Sequence, residues 1–258
     1  MDIYLAGGGQ KEKIMNIYIA GEHPVKNGNK AQTWQGCNIL ETYYYARSNK
    51  NFSRLIQTCD KFLLDSGAFS FMQQKNAKCN WEEYVEEYGA FINKYNIQHF
   101  FELDIDRVTS WEHVKQLRQK LETITNKQVI PVWHKERGKE EFLKMCEMYS
   151  YVALGTMHDY NKFQNIIPWF IQEAHKRGAK IHGLGFTRVE KLKQFHFDSV
   201  DSTAWLYGNR SGTIYIFNPL KGNFTKVKKD GCRLNSLMAA ENNFKEWVKF
   251  SNYAKLYL

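Results

Sequence analysis

Short β-type runs alternate along this chain with amphipathic helical stretches, and that alternation leaves few folds open. The expected strands are Asp2–Ala6, Asn38–Thr42, Phe62–Asp65, Phe100–Asp104, Val129–Trp133, Tyr151–Gly155, Lys180–Leu184 and Ser199–Asp201. Between them, helical periodicity runs through Trp81–Tyr95, Trp111–Thr125 and Glu140–Tyr149. A further helix is expected to end at Arg177, where Gly178 supplies a C-terminal cap. Eight such strands with intervening helices predict a closed (β/α)8 barrel. The 258 residues suit one, since barrels of this type occupy about 250 residues. We therefore read 1–258 as one domain, with the barrel at 1–207 and a β-hairpin plus C-terminal helix at 208–258. The hairpin is Gly212–Val227, with Asn-Pro and Lys-Gly-Asn turns. Two near-copies, MDIYLAG from Met1 and MNIYIAG from Met15, compete for the first barrel strand. The earlier copy is preferred.

No segment approaches the roughly 20 uninterrupted apolar residues of a membrane span, and the N-terminus has no secretory pattern. The expectation is a soluble, cytoplasmic protein without a membrane partner. Five cysteines lie at wide spacings with no C-x-x-C pair. They predict reduced, apolar cysteines and neither a disulfide framework nor a local zinc site. The net charge of +9 is concentrated: residues 210–258 hold nine Lys/Arg against three Asp/Glu. Such a bias fits an acidic partner, nucleic acid first. Arg210, Lys221, Lys226, Lys228, Lys229 and Arg233 form the candidate backbone-binding patch, against the alternative of a merely solvated hairpin.

Barrel chemistry sits at the C-terminal ends of the strands. Those ends carry Asp65, Asp104, His134, Gly155, His182 and Asp201. One strand-end Asp often caps the next turn, but three around one mouth call for another explanation. Two carboxylates facing across a small gap suit displacement at a sugar anomeric carbon, one attacking C1′ and the other managing protons. In Asp65–Ser70 (DSGAFS), Ser66 and Gly67 let backbone approach a flat ligand and Phe69 can stack on it. In Ile181–Phe186 (IHGLGF), two glycines after a strand offer a phosphate cradle. Asp198 rivals Asp201 in FDSVDST. The Tyr43–Tyr45 and Trp205–Tyr207 clusters either stack on bases or pack helices against the barrel.

In order, these motifs resemble the tRNA-guanine transglycosylase (queuine tRNA-ribosyltransferase) family, and within it the phage and bacterial DpdA-type 7-deazaguanine DNA transglycosylases. DSGAFS at Asp65–Ser70 is similar to the family's DSGGFQ, and FELDID at Phe101–Asp106 to its FDEC strand. VALGTM at Val152–Met157 is similar to its glycine-rich base-binding strand, and IHGLGFTRVEKL at Ile181–Leu192 to its MGVGxPEDL segment. FDSVDST at Phe197–Thr203 resembles DMFDCV, and Asn209–Gly212 the RNG-type turn after it. ILETYYY at Ile39–Tyr45 resembles ILxNTYH.

The resemblance implies a barrel that exchanges guanine for a free 7-deazaguanine base through a covalent nucleoside intermediate. It implies Asp201 as nucleophile on C1′ and Asp65 as general acid/base. It further implies Asp104 on the N1–H and amine edge of the base, Ser66 in the base pocket and Phe69 as one stacking face. His182 would lie near the other face, His134 would read the base carbonyl, and the backbone around Gly155 would complete the pocket. Two departures stand out. The family's CxCxxC…H zinc site is missing, so no cofactor is expected and DNA is preferred to tRNA as the nucleic-acid partner. Serine also replaces the glutamine of the DSGGFQ motif. The competing readings are a tRNA-acting enzyme, a non-catalytic nucleic-acid-binding accessory barrel, and an unrelated glycosidase.

Overall fold

The computed structural model describes residues 15–21, 35–72, 79–155, 164–186, 188–206, 212–228 and 236–258. The strands are β1 (Asn16–Ala20), β2 (Asn38–Thr42), β3 (Lys61–Asp65), β4 (Val132–Trp133), β5 (Tyr151–Leu154), β6 (Lys180–Gly183) and β7 (Ser199–Ser202), followed by the hairpin β8 (Thr213–Asn218) and β9 (Asn223–Lys228). The helices are α1 (Tyr43–Ala46), α2 (Phe52–Thr58), α3 (Ala68–Met72), α4 (Trp81–Lys94), α5 (Trp111–Thr125), α6 (Gly138–Met148), α7 (Ile167–Lys176), α8 (Val189–Leu192) and α9 (Ser236–Tyr257).

Strands β1 to β7 form one parallel sheet in the order β3-β2-β1-β7-β6-β5-β4. Its two edges meet through residues 100–101. Phe100 bridges Leu64 on one side and Phe101 bridges Ile130 on the other, both parallel. Four backbone hydrogen bonds, among them Phe101 N–H to Leu64 O (2.9 Å) and Ile130 N–H to Phe100 O (2.8 Å), close the ring. The fold is an α/β barrel with a hairpin and a C-terminal helix added.

Side-chain alternation along the strands sorts the core into the two layers a barrel requires. Tyr18, Ala20, Leu40, Leu63, Phe101, Ile130, Val132 and Ala153 fill the interior. Ile17, Ile19, Ile39, Leu64, Phe100, Val152, Ile181 and Val200, one residue out of step with them, face the helical layer. Cys37 and Cys146 are buried in that outer layer.

Two expectations need correcting. The first barrel strand is the later near-copy: Asn16–Ala20 pairs with both β2 and β7, its Ile17 and Ile19 buried under the helical layer. Met1–Ala6 lies outside the described residues. The expected strand Phe100–Asp104 is reduced to two bridging residues. The cause is Glu102, whose side chain accepts the Val132 N–H (2.7 Å) where a longer strand would offer its backbone.

Helix α5 starts at Ser110, whose hydroxyl accepts the His113 N–H, and ends at Asn126 in the left-handed region (φ 51°). Helix α7 ends at Arg177, with Gly178 at φ 74° just beyond. Helix α9 is part of the barrel wall. Its Ser251 donates to Ile17 O (3.0 Å), its Phe244 meets Trp205, and it packs against β1 and the 204–206 turn that follows β7. The hairpin packs against α9 through Tyr215, Phe217 and Phe224, which meet Trp247 and Phe250. Among the described residues no helix is long and apolar enough to cross a membrane.

Candidate functional site

The mouth at the C-terminal strand ends gathers three carboxylates. Asp65 ends β3, Asp104 follows the bridging pair at 100–101, and Asp201 lies on β7 in register with Tyr18 of β1. Asp65 is pushed up to about 7, first by burial, with the charges of Asp104 and Asp201 adding to it and the Gly67 N–H opposing. Three acids from separate parts of the chain thus share one electrostatic neighbourhood.

The turn after Asp65 is built by local necessity. Gly67 donates its N–H to Asp65 Oδ2 (3.0 Å) at φ 69°. A Cβ there would stand 2.6 Å from Tyr44 Cβ and 2.8 Å from Tyr44 N, so only glycine fits. Two α4 phenols hold the strand end: Tyr88 donates to Leu64 O or Phe101 O (3.1 Å each) and Tyr84 to Ser66 O (2.6 Å). Ser66, expected to touch the base, is 1% exposed, its hydroxyl directed at the Ala68 N–H (3.5 Å). It shapes the turn instead. Thr42, paired with Asp65 in register, keeps a buried hydroxyl with no hydrogen-bond partner among the described residues. The Phe69 side chain lies outside the described residues.

Asp104 faces His134, with Oδ1 2.5 Å from Nε2. Burial works against charge on His134, but the hydrogen bond to Asp104 and its charge outweigh that and raise its pKa. A Cβ on Gly155 would stand within 2.5 Å of His134 Nδ1, so the glycine leaves room for the imidazole. Gly155 therefore serves the histidine ring.

Asp201 is 7% exposed. Its Oδ1 accepts the Gly185 N–H (2.7 Å) and lies 3.2 Å from His182 Nε2. Two expectations change here. The IHGLGF turn aims the Gly185 N–H at Asp201, so that amide is spent on a carboxylate and not on a phosphate. His182, expected beside the base, is fully buried beneath Asp201, against the rings of Tyr18, Phe101 and Tyr151. Asp198 sits at the opposite end of β7, taken by the Ile181 N–H and His175 Nε2 (2.8 Å each), so it cannot stand in for Asp201.

Behind Asp104 lies a buried ionic cluster that no local motif announces. Glu102 is 0% exposed and accepts from Arg118 Nε (2.7 Å) and Arg137 (2.9 Å). Burial pushes its carboxyl up, yet the two guanidinium groups hold it below the ordinary range. Arg137 also donates to both oxygens of Asp106, and its guanidinium stands 3.9 Å over the Trp111 ring. Each of Asp104, Asp106 and His134 brings a ligand atom within 4.8 Å of the others, a spacing a divalent cation tolerates. Arg137 already neutralises Asp106 and His134 already engages Asp104, so a cation would have to displace them.

The candidate nucleic-acid patch divides. Lys226 lies 5.7 Å over the Tyr215 ring on the hairpin. Lys221 sits in the hairpin turn, its carbonyl accepting from Lys193, beside Gly222, whose Cβ would meet Tyr253. Tyr253 is two residues from Ser251, which bonds the β1 carbonyl of Ile17 near the far face of the barrel. The Lys221 backbone therefore lies by the Tyr253 end of α9, away from the end where Phe244 meets Trp205. Lys228 pairs with Thr213 at the hairpin's other end. Its side chain lies outside the described residues, as do Arg210, Lys229 and Arg233. Tyr43 packs against Tyr84 and Tyr88, and Trp205 is 0% exposed with its indole N–H on Ala20 O. These aromatics are packing residues.

No protein-family profile matches the chain, and no curated protein matches it. Among solved structures, QR15, an aldolase, is similar at 13% identity over 64% of this chain and 76% of that one, with a TM-score of 0.44. The carboxyl transferase domain of Rhizobium etli pyruvate carboxylase with 3-bromopyruvate is similar at 12% identity, TM-score 0.49, covering 96% of this chain and 49% of that one. The same domain with 3-hydroxypyruvate gives 13% identity, TM-score 0.40, and coverage of 80% and 37%. These likenesses are too remote to bear on activity.

Proposed function

We propose that this barrel exchanges a guanine base in DNA for a free 7-deazaguanine through a covalent nucleoside intermediate. The observation that carries the reading is the meeting of Asp65, Asp104 and Asp201 at one mouth, with Asp65 poised near neutrality. Asp201 attacks C1′ as the C1′–N9 bond breaks, forming a glycosyl ester. Asp65, as the carboxylic acid, gives its proton to the departing guanine. The resulting carboxylate takes the N9 proton of the incoming base, whose N9 attacks C1′ and releases Asp201. A carboxyl titrating near 7 can do both jobs at neutral pH. Asp104, steadied by His134, meets the two adjacent donors of the base edge. The target base must leave its stack to reach the mouth, so single-stranded or flipped substrate is expected.

Purified protein incubated with labelled guanine and either DNA or tRNA tests the proposal. Label in DNA supports it, and label in tRNA alone moves the activity to RNA. Label in neither sinks the enzyme and leaves an accessory binding barrel. Asp201→Asn should abolish covalent trapping of nucleic acid while leaving binding intact.

A further inference from the structure

Beneath Asp201 runs a chain of hydrogen bonds that base exchange does not by itself require. His182, 0% exposed, places Nε2 3.2 Å from Asp201 Oδ1 and Nδ1 2.5 Å from Ser199 Oγ. Ser199 Oγ in turn contacts the Tyr151 hydroxyl. All three sit on neighbouring parallel strands, β5, β6 and β7, pointing inward; His182 and Ser199 are register partners.

The donors can be assigned from one end. An ionised carboxylate only accepts, so His182 Nε2 must carry the proton. With one ring proton, placed on Nε2, the imidazole presents Nδ1 as an acceptor to the Ser199 O–H. The Ser199 oxygen is left to accept from Tyr151, whose phenol burial pushes far above its ordinary range and thus keeps protonated. Every link therefore points the same way, from Tyr151 to Ser199 to His182 to Asp201. The Gly185 N–H lands on the same Asp201 oxygen, Oδ1. With two donors on Oδ1, the carboxylate is fixed in rotation and Oδ2 is the oxygen presented to a substrate.

We infer that His182 is a positioning residue for Asp201, held in its Nε2–H tautomer by Ser199 and Tyr151 so that one carboxylate oxygen is aimed at C1′. The inference rests on the reading of Asp201 as the nucleophile. His182 touches no substrate. It acts by holding the attacking oxygen in line, which is worth most where reacting atoms must meet within a narrow range. The Tyr18, Phe101 and Tyr151 rings around the imidazole keep water out, which strengthens the two bonds that orient it.

Two measurements test it on the full chain. First, ring 15N resonances of His182 in the free protein should show Nε2 protonated, Nδ1 bare and the two signals unaveraged. A proton on Nδ1, or fast averaging between tautomers, would overturn the inference whatever the protein's activity. Second, base exchange is compared for wild type, His182→Phe and His182→Gln. Phenylalanine keeps the ring volume and loses the donor; glutamine keeps an N–H near the Nε2 position. His182→Phe should lower kcat by about 10- to 100-fold, less than the loss of a donor that contacts the transition state, with KM changed under about threefold. His182→Gln should recover at least half of that loss on a logarithmic scale, with both variants keeping the wild-type circular dichroism and a cooperative melt. Equal kcat in wild type and His182→Phe, or equal losses in both variants, refutes the positioning role. If wild type exchanges no base with DNA or tRNA, the proposed function fails, and the 15N spectra alone decide whether the ordered chain exists.

Discussion

At Asp65 a carboxyl raised to about 7 has a consequence for stability as well as for chemistry. Below about pH 4 the group is protonated in folded and unfolded chains alike. Between its ordinary 3.8 and about 7 the unfolded chain releases the proton and the folded chain keeps it. Stability therefore falls as pH rises through that window, and the full cost is present above 7. Asp65→Asn should remove the fall and stabilise the protein at pH 8 by roughly 1–3 kcal/mol, while slowing base exchange severely. Thermal melts of both proteins from pH 4 to 8 read this directly, and parallel curves would show that Asp65 is an ordinary carboxylate. His134 gives a second local test. Gly155→Ala drives a methyl into the imidazole and should part it from Asp104. Its NMR titration should then move down from the raised value in wild type toward the ordinary one near 6.5. No movement would mean the ring has another place to go.

Elements are held to the mouth by buried polar links, and each has one member that cannot be spared. Glu102 ties the segment after the 100–101 bridge to α5 through Arg118, to β4 through the Val132 N–H and to the residues after β4 through Arg137. Asp106 and Trp111 complete the clamp around Arg137. Glu102→Leu strands the buried Arg118 guanidinium and leaves Arg137 with Asp106 as its carboxylate partner, and should cost about 3–5 kcal/mol, measured by denaturant unfolding. A loss below about 1 kcal/mol would mean the cluster relaxes into solvent. Beyond the Glu102 N–H to Ile130 O bond, residues 103–106 have no ladder to hold Asp104 toward His134 without this clamp. The same logic explains why a helix as short as α8 suffices after β6: the preceding turn is secured by Gly185 on Asp201.

For the whole molecule, the placement of α9 decides what the C-terminal segment can do. The helix buries Phe244, Trp247 and Phe250 and packs against β1 and the turn after β7, so the hairpin it carries is fixed to the barrel wall. That anchoring separates its lysines. β8 has six residues, roughly 20 Å of strand, which sets Lys221 at one end of the hairpin and Lys228 at the other. Nucleic acid entering the mouth should meet Lys226 and Lys228 and miss Lys221. Replacing both Lys226 and Lys228 by Gln should flatten the salt dependence of binding by up to about 0.7–0.9 log units per log salt for each phosphate no longer neutralised. Lys221→Gln should leave the slope alone. A drop for Lys221→Gln would put the footprint on the far face.

Much of this was legible in the order of residues. The alternation of β-type runs and amphipathic stretches gave a parallel α/β fold, because a 2-residue and a 3.6-residue period each bury one face, and the count of eight repeats favoured closure over an open sheet. The strand-end position of Asp65 and the place of Asp201 on β7 followed from that periodicity, whereas Asp104 lies beyond the two residues that bridge. Local chemistry also set the end of α7 at Gly178 and the need for Gly67 in its turn. What the sequence could not decide was pairing across long separations. The two near-copies, from Met1 and Met15, are equivalent by pattern, and only contact with β2, β7 and α9 selects the second. Resemblance favoured Asp201 over its neighbour Asp198, and β7 gives the physical reason, with Asp198 spent on the Ile181 N–H and His175 at the other end of the strand. Glu102 with Arg118 and Arg137, and Tyr151 with Ser199 and His182, lie from 16 to 48 residues apart. Their roles come from burial, which makes an unpaired polar group costly and so forces distant side chains to find one another.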